Sequence, residues 1–190
     1  MTIEEITEKL ESDERNQAYT DRGIHPVFQV SSDARILIIG QAPGRKVEES
    51  GIPFNDKSGE TLIRWMGIER ETFYSSKIAI MPMDFYYPGK GRSGDLPPRK
   101  FIAEEYHSDI LRLMPEVGLT ILIGKYSIDY YLKDRRKKNL TETVAAYREY
   151  LPEYFPIVHP SPLNFRWQRK NPWFEEQVVP VLQEKVRSLL

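Results

Sequence analysis

The sequence predicts an α/β protein, a three-layer α/β/α sandwich around a central, mostly parallel four-stranded sheet. Three observations lead there. Four short runs are apolar at consecutive positions, as strands buried on both faces are. Segments of helical periodicity separate them, the signature of strand–helix–strand units. The glycines, prolines, aromatics and basic residues of the chain cluster in the segments that leave those runs.

The elements follow in order. Residues 2–18 read as a helix with Ile3, Ile6 and Leu10 on one face and acids elsewhere. Arg22-Gly-Ile-His-Pro26 is a loop leading to Val27–Val30. Ile36–Ile39 is the first strand, followed by the tight turn Gly40-Gln41-Ala42-Pro43-Gly44. Residues 58–66 form a helix with Leu62, Trp65 and Met66 inward, and Gly67 terminates it. Lys77–Met81 is the second strand, stopped by Pro82. A long Tyr/Gly/Pro-rich loop, 83–99, precedes a helix over 100–114. Leu119–Gly124 is the third strand, with helices over 125–134 and 141–150 after it. Phe155–Val158 is the fourth strand, and a last helix covers 172–188. No repeat or linker divides the chain, so 1–190 reads as one domain.

Composition narrows the chemistry. Lys plus Arg number 27 against 28 Asp plus Glu, a net charge of −1, so polyanion binding requires a local patch. There is no cysteine, which removes disulfides, cysteine nucleophiles, iron–sulfur clusters and cysteine zinc sites. The three histidines, His25, His107 and His159, are far apart in sequence, so neither metal nor cofactor is expected. The acidic start of the chain lacks the apolar stretch of a signal peptide and no run reaches membrane-spanning length; a cytoplasmic location is the expectation. G-x-G-x-x-G is missing, and Gly124-Lys125-Tyr126 lacks the rest of a phosphate-binding loop, which disfavours a nucleotide-binding enzyme.

In an open parallel sheet, ligands bind beyond the C-terminal strand ends, so the four loops leaving the strands should converge. Each carries a feature with two readings. The GQAPG turn either lets backbone approach a ligand closely or is punctuation. Phe54 either stacks on a nucleobase, worth about 1–3 kcal/mol, or plugs the edge of the core. Asn55 either reads a base edge or satisfies local backbone. His159, at the end of the fourth strand, either donates to an oxygen that becomes negative during reaction or is a structural histidine. Ser161 can hold a phosphate and Leu163 can wedge into a base stack. Arg166, Arg169 and Lys170, interleaved with Phe165 and Trp167, form either a basic–aromatic patch or the solvated face of a helix. The loop 88–95, with Arg99 and Lys100, suits a phosphate backbone or is plain surface. The run 133–138 reads as a solvated helix end.

The strand with GQAPG, then GIPFNDKSGETL, then HPSPLNFR, in that order over roughly residues 35–188, resembles the uracil-DNA glycosylase superfamily, and in its middle segment the iron–sulfur branch. The resemblance implies an enzyme that flips an altered base out of single- or double-stranded DNA and hydrolyses its N-glycosidic bond. It implies that Phe54, with Gly40, Ala42 and Met81, holds the base, and that His159 stabilises the departing base anion. Pro43, Gly44, Ser161 and Pro162 would compress the DNA backbone, with Leu163 filling the gap and Arg166, Arg169 and Lys170 on the phosphates. The chain departs from the pattern. Where the best-known branch has an Asp it has Ala42, and where the iron–sulfur branch has a Glu it has Gln41. The cluster cysteines are absent, and the second strand runs into Met-Pro-Met-Asp84 instead of an Asn that reads uracil. Asn55 and Asp84 stand as substitutes, beside Gln41, for water handling or base reading. Two rivals stay open: a non-catalytic nucleic-acid binder on the same fold, and an enzyme for another base or a free nucleoside with Met81, Met83, Tyr86 and Tyr87 lining a greasier pocket.

Overall fold

The computed structural model describes residues 1–190. Its sheet has four strands: β1 (Ile36–Ile39), β2 (Ile78–Ile80), β3 (Leu119–Ile123) and β4 (Tyr154–Ile157). Their order is β2-β1-β3-β4 and every pairing is parallel, so the sheet is wholly rather than mostly parallel. The helices are α1 (Ile3–Ser12), α2 (Gln17–Thr20), α3 (Arg45–Ser50), α4 (Lys57–Met66), α5 (Arg70–Phe73), α6 (Lys100–Leu111), α7 (Gly124–Leu132), α8 (Leu140–Ala145), α9 (Phe165–Lys170) and α10 (Val179–Leu189). None is long and apolar enough to cross a membrane.

Strand alternation assigns the two faces of the sheet. Ile36, Ile38, Ile78, Ile80 and Ile121 pack on one side against Leu62, Trp65 and Met66 of α4 and Leu182 and Val186 of α10. Leu37, Ile39, Ala79 and Leu122 pack on the other against Ile6 and Leu10 of α1 and Ile102, Tyr106 and Ile110 of α6. Because both faces are covered, the strands are apolar at nearly every position, Thr120 being the buried polar exception. The chain leaves β1 to pair β2 on one side and returns across it to place β3 on the other, so the topological switch lies beside the C-terminal end of β1.

Four helical boundaries differ from the sequence reading. Residues 2–18 do not form one helix. Asp13 adopts an extended conformation and accepts from the Arg15 amide, and Asn16 Nδ2 caps the Leu10 carbonyl at 2.8 Å, so a 3₁₀ turn separates α1 from α2. The helix from 100 ends at Leu111 rather than 114. The segment 141–150 is α8 followed by a 3₁₀ turn, Tyr147–Tyr150. The last helix starts with a π turn, Phe174–Val178, and becomes α-helical only at Val179. Pro180 has no N–H to give to the carbonyl four residues back, which is where the helix changes pitch.

The edge of β2 is covered. Gln29 pairs with Ile80 in an antiparallel bridge, and its Nε2 donates to the carbonyls of Phe73, Ser75 and Ile78. Beneath the β2 loop lies His107, fully buried. Its Nε2 is 3.0 Å from the Pro82 carbonyl, which can only accept, so the proton sits on Nε2. Nδ1 then accepts from the Tyr131 hydroxyl at 2.7 Å. Burial pushes His107 down to about 4.

The unfolded chain holds this proton up to the ordinary histidine range and the folded protein does not, so stability is complete above about pH 6.5 and falls as the pH drops towards 4. The loss attributable to His107 is about 3 kcal/mol. Urea unfolding of wild type and His107→Gln at pH 7.5 and 4.5 should show the larger acid loss in wild type; equal losses would remove His107 as its source.

Candidate functional site

A cavity of about 300 Å³ opens at the C-terminal ends of β1 and β4. It is bounded by the Gly40–Gly44 turn, by Pro53, Phe54, Asp56 and Ser58, by Ile80 and Pro82 after β2, and by His159, Ser161 and Leu163 after β4. Val27, Val47 and Asp95 complete the wall. The three sequence segments singled out by pattern therefore meet in one place.

Phe54 is held there by unusual means. Its φ is +56°, a left-handed conformation that a bulky residue adopts only when its surroundings impose it. The surroundings are identifiable. The Phe54 carbonyl lies so close to Gly59 that a Cβ on Gly59 would come within 1.7 Å of its oxygen. The ring lies over Gly40, where a Cβ would stand 3.1 Å from Cζ. Tyr74 Oη donates to the Pro53 carbonyl at 2.9 Å, and Phe73 meets the Phe54 ring edge-on. The glycines at the end of β1 and in the first turn of α4 are thus the spaces into which this aromatic fits.

His159 is set by a second local device. Its Nδ1 accepts from the Ser161 amide at 3.1 Å, and Asn164 Nδ2 donates to the His159 carbonyl at 3.1 Å. A neutral ring that accepts at Nδ1 carries its proton on Nε2, and Nε2 makes no hydrogen bond to the protein. Burial holds His159 below the ordinary histidine value, with the negative charge of Asp56 opposing that shift. The result is a neutral donor facing a cavity. The Ser161 hydroxyl accepts from the Leu163 amide at 3.2 Å and keeps its own proton free.

Other sequence candidates, Asp84 and Asn55 among them, stand outside the cavity. Asp84 does not line the cavity: it is fully buried and receives Arg99 Nε at 2.8 Å, Arg99 Nη2 at 2.9 Å, the Arg99 amide at 2.9 Å and the Tyr86 amide at 3.1 Å. All its acceptor capacity serves that fork. Asn55 lies outside the cavity, its Oδ1 accepting from Arg70 at 2.7 Å. Met81 is fully buried in the α1/α6 side of the core and does not line the cavity; Met83 and Tyr86 belong to the same core. Pro162 is exposed at the start of a 3₁₀ turn. Arg166, Arg169 and Lys170 are exposed on α9, outside the cavity. Arg99 of the basic loop is bound to Asp84.

Asp56 and Asp95 are lining residues that sequence reasoning passed over. Asp56 was legible as a helix N-cap three residues before Gly59, and its Oδ1 does accept from the Gly59 amide at 2.9 Å. Its second oxygen has no protein partner. Asp95 pairs with Lys90 in a small ribbon and accepts from Tyr87 Oη at 3.2 Å.

Residues 27–183 match the family model of the uracil DNA glycosylase superfamily. Among solved structures, the chain is similar to the solution NMR structure of a "putative uracil DNA glycosylase" from Methanosarcina acetivorans. The identity is 15%, over 84% of this chain and 98% of that one, with a TM-score of 0.47.

The Phe54–Gly59 contact makes a direct prediction. Gly59→Ala must separate Phe54 from the first turn of α4 and should destabilise the protein by about 2–4 kcal/mol in chemical unfolding. Ser58→Ala, one residue earlier and without that contact, should change stability by less than about 1 kcal/mol. Equal effects of the two would show that the contact does not hold Phe54.

Proposed function

Because the chain belongs to the uracil DNA glycosylase superfamily, we propose that it hydrolyses the N-glycosidic bond of a deaminated or otherwise damaged base flipped out of DNA. The observation that carries this reading is the convergence, in one cavity, of an imposed aromatic platform, a neutral histidine with a free Nε2–H, and a carboxylate with an unused oxygen.

The chemistry assigns a role to each. The extruded base stacks on Phe54, and the Gln41 amide offers both a donor and an acceptor to its edge. As the C1′–N bond lengthens, the electron pair goes to the base. His159 Nε2–H donates to the base oxygen on which that charge accumulates, and a donor already in place costs no reorganisation. The sugar becomes oxocarbenium-like. Asp56 stabilises it electrostatically and accepts a proton from the water whose oxygen bonds to C1′; that proton is then available to the departed base. Asp56 takes this role because the GQAPG turn has no carboxylate, the Asp84 carboxylate is committed to Arg99, and of the two lining carboxylates, Asp56 and Asp95, it is the one whose charge reaches His159. Leu163, 86% exposed at the mouth, fills the place of the extruded base.

Single-turnover cleavage of oligonucleotides carrying uracil, hypoxanthine or xanthine tests the reading. His159→Ala should lower the rate by about 10²–10³ without loss of folding. Asp56→Asn, which keeps the helix cap, should lower it by about 10²–10⁴. Unchanged rates would remove either residue from the mechanism, and DNA affinity without product from any substrate would favour a binding module.

The pH profile has a definite sign. Protonated His159 would turn an N–H against the Ser161 amide, so the neutral ring is the working form. With its pKa below the ordinary value, the rate should hold its plateau below pH 6.5 and fall only in more acid solution. An acid limb centred above pH 6.5 would contradict this assignment.

A further inference from the structure

We propose that a second cavity, beside the first, binds a guanine nucleotide, with the base held by Glu48 and the phosphate by Arg45 and Lys90. This site is separate from the base pocket and does not depend on its chemistry.

The second cavity measures about 670 Å³, within the range of small-molecule sites. Helix α3 contributes to both cavities: Val47 lines the first, and Arg45 and Glu48 line the second. Asp95 lines both. Tyr19 and Arg22 line the second cavity from the N-terminal part of the chain, and Tyr87 and Lys90 from the loop after β2. Tyr19 Oη donates to the Tyr87 carbonyl at 2.7 Å and Tyr87 Oη to Asp95 at 3.2 Å, so Tyr87 is anchored at both its main chain and its ring.

Glu48 is the anomaly in this cavity. Its side chain is only 10% exposed, and Arg22 Nη2 stands 3.3 Å from its Oε1 on a side chain that is itself 62% exposed. Its Oε2 is buried with no partner, the one carboxylate oxygen of the molecule left so. A polar atom out of water and without a donor is costly, and native structures seldom keep one without a use. Asp84, the fully buried carboxylate nearby in the chain's loop after β2, receives four donors by contrast. Glu48 is thus an acceptor whose donor the chain does not supply. The terminal torsion of a glutamate is broad, so the carboxylate can turn to present both oxygens to the cavity.

The chemistry of the donor follows from the rest of the lining. The Arg22 contact is long and exposed, so it exchanges readily. Both oxygens of one carboxylate then accept two parallel donors. Among the nucleobases, only guanine presents two adjacent donors on its Watson–Crick edge, N1–H and N2–H. Adenine and cytosine place an acceptor beside their amino group, and uracil and thymine flank one N–H with two carbonyls. Each of these would set a lone pair against the second oxygen. A guanidinium offers the same two donors, but the cavity holds three cations, Arg22, Arg45 and Lys90, against the carboxylates Glu48 and Asp95, and would repel it. A neutral base with an anionic tail satisfies both. Tyr87 gives the base an aromatic surface. The chain has no glycine-rich phosphate loop, so the phosphate rests on side chains. Arg45 pairs only with Glu49, at 3.5 Å and with both side chains exposed, and is free to take it together with Lys90.

Calorimetric titration of the full chain with the four nucleoside 5′-monophosphates tests this. Guanosine monophosphate should bind about tenfold tighter or better than the adenosine, cytidine and uridine compounds. Glu48→Gln keeps the shape but puts a donor where an acceptor stood, and should abolish that preference while the melting temperature holds or rises. Arg45→Ala should weaken guanosine monophosphate by about fivefold or more and leave guanosine itself unchanged. His159→Ala, in the first cavity, should change neither. Equal binding of the four monophosphates, or no binding of any, would overturn the proposal. So would a guanine preference retained by Glu48→Gln, indifference to Arg45→Ala, or loss of binding in His159→Ala, which would move the ligand to the base pocket. Tetranucleotides of thymine with and without one guanine identify the source: the same preference there assigns the cavity to a guanine within a strand, and none assigns it to the free nucleotide.

Discussion

The contact on which the site depends is between backbone and backbone: the carbonyl of Phe54 against the Cα of Gly59. It is closer than any side chain at 59 would allow, and it holds Phe54 at a φ that its own side chain disfavours. The force behind it comes from α4. Leu62, Trp65 and Met66 of that helix are fully buried, and Trp65 Nε1 donates to Glu175 at 2.8 Å, which also accepts from Arg64. A helix fixed at its C-terminal half by the core presents its N-terminal turn at a set position, and Phe54 has to conform. The strain of one residue is thus borne by packing some distance away.

The opposite wall is built from main chain. The Met83 amide donates to the Gly40 carbonyl and the Asp84 amide to the Gln41 carbonyl, so the chain leaving β2 runs along the turn leaving β1. His107 holds the Pro82 carbonyl from below, and the Asp84–Arg99 fork closes the loop. Arg99 also donates to Asn16 Oδ1 at 2.9 Å, so the fork ties the N-terminal helices to the loop behind the site. The side chains of Met81 and Met83 turn into the core, leaving Ile80 and Pro82 as the apolar lining.

This explains what the sequence made legible. The strands and the layer order could be read because consecutive apolar residues leave few alternatives to a sheet covered on both faces. The meeting of GQAPG, Phe54 and His159 followed from their shared position after parallel strands. The burial of Asp84 was not legible, because a carboxylate after a strand looks available until its partner, fifteen residues on, closes over it. The inward turn of Met81 was not legible either, because side-chain direction at a strand end is a property of register. Asp56 was legible as a helix cap, but its place in the cavity comes from the turn at Phe54, which no propensity predicts. The π turn before α10 has its cause in Pro180, visible in sequence, though its form depends on how the helix docks.

The Gln29 clamp on β2 has a consequence for where this domain begins. β2 is a three-residue edge strand with no polar side chain of its own, and an open edge of that kind is a template for pairing with other chains. The bridge at Ile80 and the three carbonyls taken by one amide group close it. Two residues earlier, Val27 bonds through its amide to Phe85 and lines the cavity. The irregular stretch before β1 is therefore both a wall of the site and the cover on the edge of β2. A chain cut back to the start of its first strand would keep every strand and helix of the sandwich from β1 onward, yet would gain a sticky margin along β2.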